Sequence, residues 1–263
     1  MKILRNICLL LASLSILACC AKQGEETYVQ ARIPVTLSGV STKVALNPGT
    51  GEGGVTMYTP VWQSGDALAV FATGAVEGSN EKFTVENITS EGVAGNFRGS
   101  LSVKQEGGPY TIYAIQPYLG KDESNTEYTA CKSEIPAVQH PASDNIDSKS
   151  YIAVSYPIED VIPASAKSLD VDGLMLKRVT APLVLAIKAE EAAGVKAASV
   201  TITADESVIL SGKCTVNLEN GEIVAFSEYS STVTAQYEKL TAPAISAFDA
   251  WFMVKPQTLA AGS

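Results

Sequence analysis

From Ile33 onward, apolar and polar residues alternate in short runs broken by Gly, Pro, Asn, Asp and Ser, and no stretch sustains a capped 3.6-residue period. The pattern predicts an all-β chain. Ile33, Val35 and Leu37 fall on one face of a first strand, where Pro34 is tolerable only at the strand start or at a sheet edge. Period-two alternation sets Leu68 and Val70 against Ala69 and Phe71, and Ile112 and Ala114 against Tyr113 and Ile115. It recurs in Leu183, Leu185 and Ile187 against Val184, Ala186 and Lys188, in Val200 and Ile202 against Thr201 and Thr203, and in Trp251 and Met253 against Phe252 and Val254. Each of these is expected to be a half-buried strand. Turns are expected at Asn47-Pro48-Gly49, Ser64-Gly65-Asp66, Gly107-Gly108-Pro109, Asp172-Gly173 and Asn220-Gly221, the last as a tight hairpin. The best helical stretch, residues 189–198, is short and contains Gly194, so it is expected to be a loop or a single turn.

Between residues 155 and 172 alternation gives way to Pro157, Asp160, Pro163 and small residues, the composition of a connector between two sandwiches. Residues 96–103 are faintly echoed by residues 209–216, which supports two related β units. The expected division is a β-sandwich over residues 33–168 and another over 169–263.

Composition narrows the function classes. The 263 residues are 46% apolar and 18% charged, with 20 Gly and 12 Pro, enough for one large core or two smaller ones and unlike a disordered tail, a collagen or a disulfide knot. The net charge is −9, and setting aside the N-terminal Lys2 and Arg5 leaves 17 basic against 28 acidic residues. Nucleic acid is therefore not an expected partner, because phosphate neutralisation requires clustered Lys and Arg. His140 is the one histidine, which argues against a histidine-based triad or a multi-histidine metal site. The expectation is a protein that is not an enzyme and needs no metal or cofactor.

Lys2 and Arg5 precede residues 7–18, an uncharged apolar run too short for the ~20 residues of a spanning helix, which reads as a secretory signal over residues 1–18. The run ends in Ile16-Leu17-Ala18-Cys19-Cys20, which resembles the lipobox of bacterial lipoproteins and implies acylation at Cys19, with Cys20 as the alternative register. More than one acyl chain, at ~0.8 kcal/mol per buried CH₂, anchors a protein stably to a membrane surface. Residues 19–32 form a polar tether whose Glu25-Glu26 pair resembles a surface-export signal of Bacteroidetes lipoproteins, although a solvated linker explains it equally well. Cys131 and Cys214 remain, and two isolated buried thiols are expected.

Other motifs have plain explanations. Gly49, Gly51 and Gly54 match a dinucleotide-binding spacing, but a strand-like run with Pro60 follows instead of a helix. Asp170-Val171-Asp172-Gly173 and Asp144-Asn145-Ile146-Asp147 lack a full calcium loop and read as turns. His140 with nearby Ser143 and Asp144 is no triad on sequence proximity alone. Glu190-Glu191 reads as a solvated turn, because adjacent carboxylates point apart. Trp62 and Trp251 sit in alternating strands and are expected in the core, not as sugar-stacking platforms.

Several segments, taken in order, resemble the fimbrillin family of Bacteroidetes, the lipoprotein precursors of donor-strand pili. They are residues 61–71 with Trp62, Gly65-Asp66 and Phe71; Phe97-Arg98-Gly99 leading to Tyr110 through Tyr118; Ile135-Pro136-Ala137-Val138-Gln139 with Asp147; residues 174–187; and Val254-Lys255-Pro256-Gln257-Thr258-Leu259. The resemblance implies two transthyretin-like β-sandwiches in tandem and a surface lipoprotein of the outer membrane that serves cell adhesion. It implies that a protease removes the first strand, residues 33–39 with Ile33, Val35 and Leu37, and that a strand from another pilus subunit fills the groove. Family precursors are cut after a basic residue, usually Arg, just downstream of that strand. The matching bond here follows Lys43 and precedes Val44, while the alternative Arg32 lies upstream of the strand and would leave it attached. The family also continues past the segment ending here at Ser263, which implies either a fragment or an incomplete second sandwich. The rival function is a glycan-binding surface lipoprotein of an uptake system, in which exposed aromatics would serve as platforms.

Overall fold

The computed structural model describes residues 31–40, 45–50, 56–89, 92–122, 124–141, 145–188, 196–238 and 247–258. The first half runs through β1 (Ala31–Val40), the hairpin β2 (Ala45–Thr50) and β3 (Thr56–Val61), then β4 (Ala67–Gly74), β5 (Val76–Ile88), β6 (Ala94–Val103) and β7 (Gly108–Gln116). Short strands follow: β8 (Cys131–Ile135), β9 (Val138–Gln139), β10 (Ala153–Ser155), β11 (Ile158–Ile162), β12 (Leu169–Val171) and β13 (Leu176–Arg178). The chain continues through β14 (Ala181–Lys188), β15 (Ser199–Thr203), β16 (Ser211–Asn217), β17 (Glu222–Ser230), β18 (Thr232–Gln236) and β19 (Ala247–Val254). The described residues contain no α-helix, only the 3₁₀ turns Tyr128–Ala130 and Ser148–Ser150, so the chain is all-β as its alternation predicts. None of them forms a helix long and apolar enough to cross a membrane.

One nine-stranded sheet dominates, in the order β12-β1-β6-β5-β4-β7-β10-β13, with β11 also paired to β7. Its central strands correct the half-buried expectation. Leu68 and Val70 of β4 and Ile112 and Ala114 of β7 face one core, while Ala69 and Phe71 of β4 and Tyr113 and Ile115 of β7 face another. The second face is covered by β8, β16 and β17, which form their own sheet and contribute Cys131, Ile135, Cys214 and Val216. A strand covered on both sides reads as a continuous apolar run, and residues 68–72 and 112–115 are such runs. β19 is likewise buried on both faces: Trp251 and Met253 join the core of the large sheet, and Phe252 and Val254 join a third core between β14–β19 and the sheet β15-β18-β9.

In β14, by contrast, Leu183, Leu185 and Ile187 are half-buried and alternate with exposed residues, and in β15 Val200 and Ile202 do the same. Thr201 and Thr203 turn outward and hydrogen-bond Thr234 and Thr232 across β18, at 3.0 and 3.3 Å. The Asn220-Gly221 hairpin is looser than a two-residue turn, since Asn217 pairs with Glu222 and only Gly221 has a left-handed φ, +70°. Strands on either side of residues 168 and 169 share sheets: β12 and β13 belong to the nine-stranded sheet, and β8 and β9 pair with β16 and β18.

Candidate functional site

β1 occupies a slot built for an extended chain. Its whole length pairs antiparallel with β6, from Ala31 opposite Val103 to Val40 opposite Ala94, and Val35, Thr36 and Leu37 also pair parallel with Leu169, Asp170 and Val171 of β12. Ile33, Val35 and Leu37 are 3%, 0% and 0% exposed, so the three residues read as one apolar face do share a buried face. They join Phe97, Leu101, Leu169 and Val171 in the core. At ~1.5–3 kcal/mol per fully buried aliphatic side chain, the three contribute roughly 5–9 kcal/mol, which is comparable with the whole stability of many domains.

The Phe97-Arg98-Gly99 segment shapes the floor. Phe97 is buried edge-on against Trp62, with ring centroids 4.6 Å apart. Gly99 stands opposite Val35, and a Cβ there would overlap the ring of the buried Phe83, so a glycine lets that ring fit beneath β1.

Beyond β12 the chain turns at Asp172-Gly173 and crosses the end of β1. The Leu174 N–H donates to the Ser38 carbonyl at 3.1 Å, and Leu174 itself is buried in the core. A Cβ at Gly39 would overlap the Leu174 carbonyl and stand 2.6 Å from its Cβ. Because a strand residue points its N–H and C=O to one edge and its neighbour's to the other, Ser38 sets the parity for Pro34, Thr36 and Ser38 to face the β12 side. Pro34 lies before the three residues that β12 pairs, so its missing N–H leaves no ladder bond unmade and the proline stands locally at an edge. Beside this crossing is an open groove of about 590 Å³, edged by Ser38, Gly39, Ile88, Asn96, Asp172 and Met175.

On the opposite face of β1, the Arg32 guanidinium reaches across β6. It donates to both Glu81 carboxylate oxygens, at 3.2 and 2.6 Å, and to the Ser100 carbonyl at 3.0 Å. Hydrogen bonding to Glu81 raises the Arg32 pKa above its ordinary value. The Arg32–Ile33 bond therefore lies inside a paired strand with its basic side chain engaged. Cys19, Cys20, Lys43 and Val44 lie outside the described residues, as do Glu190 and Glu191.

Residues singled out for chemistry serve the fold. His140 donates its backbone N–H to Asp147 Oδ2 at 2.9 Å, and Asp147 Oδ1 accepts the Lys149 N–H at 3.0 Å, so this carboxylate caps a turn. Trp62 and Trp251 are 4% and 5% exposed in the same core. Cys131 and Cys214 are free and buried, and burial pushes both thiols up to about 12. Gly39, Glu81 and Leu174 escape a reading by alternation. Their nearest signals were the glycine ending the first strand and the Asp172-Gly173 turn.

No protein-family model and no curated protein matches the chain. Among solved structures it is similar to the crystal structure of a candidate cell adhesion protein from Bacteroides fragilis, with a TM-score of 0.49 and 11% identity, covering 86% of this chain and 79% of that one.

Proposed function

We propose that this chain is the precursor of a fimbrial subunit or pilus-associated protein of the fimbrillin type, assembled by strand exchange and used in cell adhesion. In this reading the fold is two transthyretin-like sandwiches in tandem. The precursor is acylated at Cys19, with Cys20 the alternative, and held at the outer membrane surface by that lipid. A protease cuts between Lys43 and Val44, β1 leaves, and a strand from another pilus subunit takes its place. The protein is not an enzyme and uses no cofactor, and nucleic acid is not a partner.

The observation that supports this most is the seating of β1. It is the first strand of the described fold, and it carries Ile33, Val35 and Leu37 into the core. Its removal leaves β6 without that neighbour and exposes an apolar trough, an aggregation hazard until another strand fills it.

Size-exclusion chromatography of the full chain and of chain trimmed to Val44 tests the reading. The full chain is expected to stay monomeric and to ignore added strand peptides, whereas the trimmed chain binds a C-terminal donor peptide from a complete pilin. Equal peptide affinity before and after trimming means that strand removal is not the switch.

A further inference from the structure

We infer that the β1 slot selects its occupant by register, accepting an extended strand with the pattern aliphatic-x-aliphatic-x-aliphatic-x-glycine that runs antiparallel to β6 and parallel to β12. The inference rests on strand exchange being the function, and it specifies the partner strand. Three features of the slot set the pattern.

The pockets for Ile33, Val35 and Leu37 are closed, so the side chains at alternate positions must be aliphatic and similar in size. A slip of one residue would turn all three outward. The crossing strap then fixes which of the remaining two-residue slips is allowed. Leu174 lies so close to Gly39 that any Cβ there meets its backbone carbonyl, and backbone buried in the core yields less readily than a flexible side-chain end. The occupant's sixth residue after its first aliphatic must therefore be glycine. Its preceding residue must also present a carbonyl to the Leu174 N–H, as Ser38 does at 3.1 Å.

At the other end the slot is permissive. β12 pairs only three residues, so the position held by Pro34 needs no N–H, and a proline is accepted there without loss.

The test uses the full chain with a protease site introduced between residues 40 and 45 and then cut, so that β1 stays seated but is no longer tethered to β2. Synthetic peptides spanning residues 31–40 are added, one native, one with Gly39→Ala and one with the order of residues 33–39 scrambled, and displacement of the seated strand is followed by mass spectrometry. The native peptide is expected to exchange in, and the Gly39→Ala peptide to compete about tenfold or more weakly, as expected for a methyl group forced against backbone. Equal competition by the native and Gly39→Ala peptides overturns the register rule and leaves strand exchange standing. If no peptide displaces β1, strand exchange is the failed element. The register rule is then judged on the uncut chain, in which Gly39→Ala is expected to raise hydrogen exchange at the Leu174 amide about tenfold or more, as its bond to Ser38 is displaced. An unchanged Leu174 amide overturns the rule.

Discussion

The side-chain amide of Gln139 pairs with the backbone of Met253 as a neighbouring strand would. Its Nε2 donates to the Met253 carbonyl at 2.6 Å, and the Met253 N–H donates to Oε1 at 2.9 Å. Gln139 is fully buried at the end of β9, and its backbone pairs with β18. One residue thus ties β19 to the sheet β15-β18-β9 across 114 positions of sequence.

Replacing that amide leaves a buried N–H and a buried C=O unpaired. Gln139→Leu is expected to cost about 2–6 kcal/mol, because each of the two orphaned groups loses ~1–3 kcal/mol. The exposed neighbour Val138, mutated to Ala, should stay within about 0.5 kcal/mol. Urea denaturation of both variants checks this, and a Gln139→Leu midpoint matching the wild type would show that the amide pairing contributes nothing.

Trp62 and Trp251 are expected to act through packing. Replacing either by Ala should cost ~3–5 kcal/mol, visible as a lower melting temperature. If a variant instead kept its melting temperature and lost binding on a glycan array, the uptake-module function would replace the pilus one.

The buried thiols give stability a defined pH limit. Burial raises Cys131 and Cys214 to about 12 from an ordinary value of 9.0, and for Cys214 the neighbouring Cys131 adds to the effect. The unfolded chain then loses these protons first, so their contribution is intact below about pH 9 and is lost as pH rises toward about 12, at on the order of 1 kcal/mol per pH unit for each thiol. Tyr113, stacked on Tyr128 with centroids 4.3 Å apart and raised to about 12 chiefly by burial, steepens the same decline above pH 10. Denaturation at stepped pH should show this slope, and a Cys131→Ala/Cys214→Ala chain should show a shallower one. At pH 8, peptide mapping after maleimide treatment should find Cys131 and Cys214 unlabelled in the native protein and labelled in urea.

Lipid attachment is testable apart from the fold. The native N-terminal peptide is expected to begin at an acylated Cys19 by mass spectrometry, and Cys19→Ala should move the protein out of the membrane fraction. Acylation at Cys20 would select the alternative register, and an unmodified N-terminus elsewhere would remove the anchor.

The strands were legible because alternation is a local signal, and Ile33, Val35 and Leu37 carry it in its simplest form. The two-sided burial of β4 and β7 was harder to see. Ala69, Phe71, Tyr113 and Ile115 are apolar because β8 and β16 cover them, and that covering layer comes from a later part of the chain. The partner of β1 was hidden for the same reason. Leu169 and Val171 look like the opening of another unit, and nothing local says that they run parallel to Val35 and Leu37. Gln139 and Asp147 stand out in the sequence as parts of a motif, but their work depends on contacts with Met253 and with the His140 and Lys149 amides, which only the folded chain brings together.

The slot around β1 also bears on when the protein can fold. β1 leaves the ribosome first among the described strands, yet its neighbours are β6 and β12, and its core takes in Trp251 and Met253 from β19, the last of the described strands. An elongating chain therefore holds Ile33, Val35 and Leu37 unpaired until β6 emerges, and without their parallel neighbour until β12 follows. Pairing strictly in order of synthesis does not match this topology, because β1 pairs with β6 and β12 and not with the strand that follows it. The apolar face of β1 therefore waits on partners distant in sequence, a high contact order that slows folding relative to a meander of the same size.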